Sequence, residues 1–368
     1  MKKKLAGWKA NLLSMVGRAV LIQSSLSTVP AYVMQCAHLP ERILSGIDRV
    51  NRNFLWGTSN ASRKIHWVGW QKVTKSKEEG GLGFQIAKGQ NTALLAKLNW
   101  RLHSKQDALW THVLRRKYCS LRRINSPNPN KLPCSQVWRG IKKGTTTFLK
   151  GARWSLGKDN NLNFWGDSWL ELGPLRSVTQ GPMDPDTERL RVKDILVDGS
   201  WDWTKISMEL PMNLKMKIQA TPSAMFAPTE DKLSWSPNPR GVFDLKSAYC
   251  LATNNEPCQF DGEWIWKAKV LPKIKFFVWK CMHNSVGIKA CLAERGMSTD
   301  MLCPLSGLEV ETFAHALQDC RIVREVWFDL GVARNDREFF NEELEVWMTK
   351  NAKATRPLHW DTTFLFAI

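Results

Sequence analysis

Cys303-Pro304-Leu305-Ser306-Gly307-Leu308-Glu309-Val310-Glu311-Thr312-Phe313-Ala314-His315-Ala316-Leu317-Gln318-Asp319-Cys320 brings two thiols and one imidazole into eighteen residues. The four residues between His315 and Cys320 set a helical His and a nearby Cys within reach of one tetrahedral ion. Where a C-x2-C knuckle would close with its second thiolate the chain has Ser306, whose neutral hydroxyl is a poor ligand for a borderline-soft cation. The candidate metal ligands are therefore Cys303, His315 and Cys320, with Ser306 at the fourth ligand position, and zinc is expected to be held weakly or not at all. Cys291 could replace the missing thiolate only if its loop folded back, and it reads as a packing residue. Glu311 is expected to orient His315 from behind the ligand set.

Alone, C-x2-S-x8-H-x4-C is a weak pattern in a chain with nine Cys and seven His. Its surroundings add information. Upstream stand Trp264-Ile-Trp266-Lys, Pro272-Lys-Ile-Lys-Phe-Phe-Val-Trp279-Lys and Leu292-Ala-Glu-Arg295-Gly296, and downstream stands Trp327. This series resembles the reverse-transcriptase zinc-binding domain of plant non-LTR (LINE-type) retrotransposon polyproteins, which lies between a polymerase and a ribonuclease H domain. Leu13-Ser14-Met-Val-Gly17-Arg18, Ile47-Asp48 to Phe54-Leu55-Trp56-Gly57, His66-Trp67, Gly80-Gly81-Leu82-Gly83-Phe84 and Asn91-Thr-Ala-Leu-Leu-Ala-Lys97 are similar to the segment that follows the polymerase palm in the same polyproteins. The resemblance covers nearly the whole chain. It implies a start after the palm and a stop before the ribonuclease H carboxylates.

With 368 residues, 43% of them hydrophobic, the chain is long enough for two or three cores. Its 19 Trp sit mostly in apolar runs and are expected to supply packing rather than base-stacking platforms. The net charge of +19 is unevenly spread: residues 1–170 hold 29 Lys and Arg against 7 Asp and Glu, and residues 171–368 hold 24 against 27. A positive field confined to one half attracts polyanions and does little for folding, so RNA or DNA is the expected partner, bound without sequence specificity. An odd number of Cys without a scaffold rhythm suits a reducing compartment, and no apolar run is long enough to span a bilayer. Met1-Lys-Lys-Lys4 imitates a signal peptide, but Lys9 and Arg18 interrupt its apolar core. A nuclear or cytoplasmic location is expected, with neither a membrane nor a small-molecule substrate as partner.

The apolar periodicity predicts a mainly α fold with small β-hairpins. An amphipathic helix from Leu5 to Gln23 is expected to end before Pro30, and a second to open at Pro40 and stop at Gly57. Residues 62–84 read as a loop with a small hairpin, and 91–103 and 107–118 as a helical pair. This pair concentrates Lys97, Arg101, Lys105, Arg115, Arg116 and Lys117, with Arg122 and Arg123 just beyond, and these eight are the candidate nucleic-acid-binding residues. A short helix is expected near residues 136–141, a hairpin over 152–165, and two further strands at 233–235 and 242–245. In chain order the expected regions are a basic helical region (1–120), a linker (121–133), a mixed middle (134–245), a small helical zinc-binding-like domain (246–335) and a truncated C-terminal segment (336–368).

A polymerase needs two metal-bound carboxylates held together, commonly as adjacent Asp residues. The sequence has no Asp-Asp pair, no phosphate-binding Gly-Lys-Ser/Thr loop, no Gly-x-Ser-x-Gly elbow and no His-Glu-x-x-His. Gly80-Gly81-Leu82-Gly83 lacks the strand-to-helix setting of a phosphate cradle and reads as a loop. The chain is therefore expected to be no enzyme, but a non-catalytic, nucleic-acid-binding fragment of a reverse transcriptase with a degenerate knuckle. Two other readings stay open: a structural relic with no retained function, and a truncated gene model of a full reverse transcriptase/ribonuclease H polyprotein.

Overall fold

The computed structural model describes residues 12–59, 62–104, 108–118, 134–157, 160–179, 181–197, 199–221, 230–253, 260–297, 300–332, 336–354 and 360–368. In chain order the helices and strands used below are α1 (Met15–Leu21), α2 (Thr28–Met34), α3 (Glu41–Trp56), α4 (Trp70–Val73), α5 (Ala87–His103), α6 (Leu109–Tyr118), α7 (Gln136–Gly151), β1 (Ala152–Ser155), β2 (Leu196–Val197), β3 (Ser200–Trp201), α8 (Met212–Gln219), β4 (Lys232–Trp235) and α9 (Leu245–Thr253). They are followed by α10 (Glu263–Lys267), α11 (Pro272–Met282), α12 (Lys289–Glu294), α13 (Arg321–Asp329), α14 (Arg337–Asn341), α15 (Leu344–Lys353) and α16 (Trp360–Ala367). Among the described residues the fold is mainly α, with two small antiparallel sheets, as the sequence predicts. No described helix is long and apolar enough to cross a membrane.

The chain forms two compact units that interleave along the sequence. The first gathers residues 1–30, 45–86 and 256–368, and the second residues 31–44 and 87–255. The expected mixed middle region thus lies inside the second unit, while the expected basic region contributes to both. The expected linker, residues 121–133, lies outside the described residues.

In the first unit, Ile22, Leu26, Leu55, Val73 and Phe84 share one core with Trp279, Trp327, Trp347 and Phe364. Trp327 meets Trp347 edge to face at 5.6 Å, and Trp347 meets Phe364 at 4.8 Å, the arrangement ring quadrupoles favour. Tryptophan packs here as the composition suggests. Two local expectations fail. Helix continues past Pro30 to Met34, because Pro30 is the third residue of α2, where a missing backbone N–H costs no intrahelical bond. Over residues 62–84 a single helical turn, α4, stands where a hairpin was expected, and Leu82 N–H returns to the Val73 carbonyl at 2.9 Å.

The second unit is built on the contact between α5 and α7. Gly140 and Gly144 lie one turn apart on α7 and let it close on α5. A Cβ at Gly140 would stand 2.9 Å from Leu95 Cδ2, and one at Gly144 would stand 2.5 Å from the Leu95 carbonyl carbon. Buried Asn99 ties the pair by donating to the Ile141 carbonyl at 2.7 Å. Asn91, also buried, donates to the Met34 and Ala37 carbonyls and accepts from Leu39 N–H, which fixes residues 34–39 against α5. Among the described residues, the hairpin expected over 152–165 does not form. β1 instead pairs with β4, Ala152 opposite Trp235 and Ser155 opposite Lys232. Trp235, fully buried, supplies the reason: its ring packs directly on Gly151, where any Cβ would overlap it. The loop after β1 is held from β4's side, since Asp231 accepts from Gly157 N–H and Asn161 N–H at 2.8 Å each. The local hairpin is β2–β3, turning at Gly199 with φ +80°.

Opposite signs are expected for two glycine-to-alanine changes. Alanine gains about 1 kcal/mol of helix propensity over glycine. Gly46 on α3 has open space around its Cβ position, so Gly46→Ala should raise the melting temperature. Gly144→Ala should lower it, because the clash is with backbone and overpacking costs about 1–3 kcal/mol. Thermal melts of both variants, followed by circular dichroism, provide the check; a stabilised Gly144→Ala would contradict the α5–α7 packing.

Candidate metal centre and basic surfaces

The knuckle is built by backbone before any ligand is considered. Leu302 and Val310 form an antiparallel bridge, Cys303 N–H donates to the Glu309 carbonyl at 2.7 Å, and Gly307 N–H donates to the Cys303 carbonyl at 2.8 Å. Gly307 takes φ +67°, a conformation glycine adopts without strain. The second half of the site is a π-helical turn, His315–Asp319, closed by Cys320 N–H on the His315 carbonyl at 2.9 Å. This turn explains the spacing. Five residues along a regular α-helix would leave His315 and Cys320 about 140° apart around the axis. The wider i→i+5 turn brings them to one side, as single π-turns do at many functional sites.

The ligand atoms of Cys303, His315 and Cys320 lie within 4.8 Å of one another, and all three residues are buried. The two sulfurs are 3.9 Å apart, as free thiols. Ser306 Oγ stands 3.4 Å from His315 Nε2, beside the cluster. Burial raises the Cys303 thiol, but the Ser306 and Leu305 N–H groups, the Ser306 hydroxyl and His315 together outweigh it and bring the thiol down to about 6. Such a thiol is poised to bind as thiolate. On the other side of the ring, Glu309 Oε2 approaches His315 Nδ1 to 2.9 Å, yet off the N–H direction, so Nδ1 makes no hydrogen bond. Two sulfurs and one imidazole fit three corners of a zinc-type tetrahedron.

One neighbour differs from expectation, Glu311, and one agrees with it, Cys291. Glu311 does not touch His315; its carboxylate accepts from Lys289 N–H at 2.7 Å and caps α12, because the chain has already turned away past the Leu302–Val310 bridge. Glu309 takes the place beside the imidazole. Cys291 is buried on α12, donates its thiol to the Asn284 carbonyl, and stands outside the ligand cluster.

The candidate nucleic-acid-binding residues divide by what they touch. Arg115 reaches back to the Leu102 carbonyl and closes the end of α5. Arg101 lays its guanidinium 5.2 Å from the Trp110 ring centre, and Lys117 stands 5.5 Å from that of Tyr118. Lys97, Arg116 and Lys117 are exposed. Lys105, Arg122 and Arg123 lie outside the described residues. Sequence reading missed a further row. α7 continues to Gly151, well beyond the short helix expected, and exposes Arg139, Lys142, Lys143 and Lys150 along one side at helical spacing. Extending the 3.6-residue period past Ile141 would have found them.

The glycine loop at residues 80–83 holds the first unit together. Gly80 and Gly83 have φ of +83° and +73°, and a Cβ on Gly81 would overlap the Lys75 carbonyl oxygen. The Gly80 carbonyl accepts from Trp279 Nε1–H at 2.8 Å and from His283 Nε2–H at 2.7 Å, and the His283 ring stacks on Phe260 at 5.2 Å. Burial lowers the His283 pKa, against the opposing pull of that carbonyl bond. Its backbone groups are committed to protein partners, as a structural loop requires.

With this geometry in view, comparison with known proteins is decisive. Residues 243–327 match the family described as zinc-binding in reverse transcriptase. The whole chain is 30% identical to a "putative ribonuclease H protein" of Arabidopsis thaliana, of which it covers 61%. A stretch of 149 residues, 39% of the chain, is 32% identical to an "uncharacterized mitochondrial protein" of Arabidopsis thaliana and covers 92% of it. The chain belongs to the plant retrotransposon polyprotein family that carries the reverse-transcriptase zinc-binding domain. It spans about three-fifths of the length of the longer relative. The zinc-binding match ends at Trp327, just past Cys320, so the cluster of Cys303, His315 and Cys320 falls inside the domain after which that family is described.

Proposed function

We propose that this chain binds RNA or DNA without sequence preference through the basic helices of its second unit, and neither polymerises nor hydrolyses nucleic acid. The charge carries the reading: within the second unit, residues 87–170 hold 16 Lys and Arg against 3 Asp and Glu. On α5, α6 and α7 this charge takes the form of exposed Lys97, Arg116, Lys117, Arg139, Lys142, Lys143 and Lys150. Lysine and arginine on helix faces neutralise phosphates and release counterions irrespective of base sequence. The non-catalytic part of the reading rests on the absence of an Asp-Asp pair from the sequence.

Cys303, His315 and Cys320 would offer zinc three protein corners with the Ser306 hydroxyl nearby, a set that holds the ion weakly or not at all. Bound there, the ion would serve as a cross-link between the Cys303 turn and the π-turn. Structural sites are closed by four protein ligands, whereas three ligands leave a position open to water. Closed sites are worth roughly 10–16 kcal/mol in zinc-dependent peptides, so a missing thiolate should cost several of those kcal/mol.

For nucleic acid, the purified full chain titrated against labelled oligonucleotide at several salt concentrations should give log K falling with log salt at a slope of about −4, the value for roughly five phosphate contacts. A flat dependence would remove the basis of the reading. For the metal, elemental analysis of the full chain should find well under one equivalent of zinc, and Ser306→Cys should raise both the zinc content and the melting temperature. Stoichiometric, chelator-resistant zinc in the unaltered chain would show that the site is already complete.

A further inference from the structure

The first unit carries two adjoining clefts that the charge count along the sequence does not reveal. One, of about 500 Å³, is lined by Arg18, Arg63, Lys64 and Lys280 together with Trp56 and Trp67. The other, of about 630 Å³, is lined by Arg52, Lys72 and Arg295 together with Trp67, Trp70 and His283. Trp67 belongs to both. No carboxylate lines either cleft, and among the described residues Arg52, Arg63, Lys64, Lys72, Lys280 and Arg295 have no ion pair. Lys280 and Arg295 come from the zinc-binding match, whose half of the chain has no excess positive charge. Folding therefore gathers onto one surface cations that are far apart in the sequence.

Several of these groups are held in place. Arg295 donates to the His66 carbonyl at 3.1 Å and the Trp67 carbonyl at 2.6 Å, and its guanidinium lies 5.1 Å from the centre of the Trp67 ring. Arg18 donates to the Leu55 carbonyl at 3.4 Å. The Nε of Arg52 is buried with no hydrogen-bond partner, an unusual state for a guanidinium N–H. The positive field reaches the neighbouring imidazoles. Burial lowers His66 and Arg52 lowers it further, and Lys72 adds to the burial that lowers His283.

We propose that the two clefts flanking Trp67 form a second nucleic-acid surface, which takes the phosphate backbone of a single strand as it crosses the tryptophan. Uncompensated cations spread over two adjoining clefts fit a chain of phosphates better than one isolated anion. A positively charged groove with an aromatic ring in its course is the arrangement that binds single strands without sequence preference. The proposal rests on the nucleic-acid reading given above and assigns it a separate surface in the other unit.

The test uses the full chain and a fluorescein-labelled oligouridylate. Arg63, Lys64 and Lys72 are exposed, and their side chains make no hydrogen bond among the described residues, so R63Q/K64Q/K72Q should melt like the unaltered chain. Its affinity at low salt should fall at least about tenfold and its salt slope become shallower by about 2, near 0.7 per lost phosphate contact. K97Q/R116Q/K117Q, on α5 and α6, serves as the comparison. If that variant weakens binding while R63Q/K64Q/K72Q binds like the unaltered chain, the second surface is overturned and the reading of the second unit stands. If the unaltered chain does not bind at all, both fall. A duplex that competes as well as the single strand would overturn the single-strand assignment. Independently of any variant, photocrosslinking of the unaltered chain to a 4-thiouridine oligonucleotide should mark the peptide containing Trp67; crosslinks confined to α5, α6 and α7 would contradict the proposal.

Discussion

The Gly80 carbonyl accepts two hydrogen bonds, from the Trp279 indole and the His283 imidazole, and much of the first unit depends on that oxygen. A buried pair of donors that lost this acceptor would each pay a desolvation cost of about 1–3 kcal/mol. Presenting the carbonyl requires Gly80 at positive φ and Gly81 without a side chain, and both conditions are written into the sequence as adjacent glycines. The consequence is organisational. The donors sit on or just after α11, within the zinc-binding match, while the acceptor comes from the post-palm-like stretch. The two stretches share one core and one set of hydrogen bonds, and the clefts on either side of Trp67 are built from both.

The shape of the knuckle does not depend on the residue at position 306. Its frame consists of the Leu302–Val310 bridge, the Gly307 turn and the π-turn, none of which uses the residue 306 side chain. Replacing a thiol with a hydroxyl leaves that frame standing and alters only the donor chemistry. The hydroxyl also keeps part of the electrostatic role, since Ser306 helps hold Cys303 towards its thiolate.

What the sequence disclosed was local. α3 runs from Glu41 to Trp56 and stops at Gly57 as its proline and glycine indicate, and α5 follows its apolar period. That Cys303, His315 and Cys320 come together was readable because thiol and imidazole spacing is a chemical signature. Features set by distant partners were not. β1 could not be matched to β4 from period-two alternation, because the choice rests on Trp235 seating against Gly151. The π-turn was hidden because its single extra residue per turn leaves no compositional mark, and Glu309 rather than Glu311 stands beside the imidazole because of the Leu302–Val310 bridge. The charge map failed in a similar way: Lys280 and Arg295 sit in a half of the chain without excess charge, yet they line the same clefts as Arg18 and Arg52.

The Gly80 carbonyl secures residues of the 243–327 match to the stretch before them, and the indole proton of Trp279 reports on it directly. Measured by NMR in the intact chain, that proton should exchange with solvent as slowly as the most protected amides, because Trp279 is fully buried and its donor is satisfied. Gly81→Val, which forces a side chain against the Lys75 carbonyl, should speed its exchange by orders of magnitude. Fast exchange of the Trp279 indole in the unaltered chain, or exchange indifferent to Gly81→Val, would contradict that role of the Gly80 carbonyl.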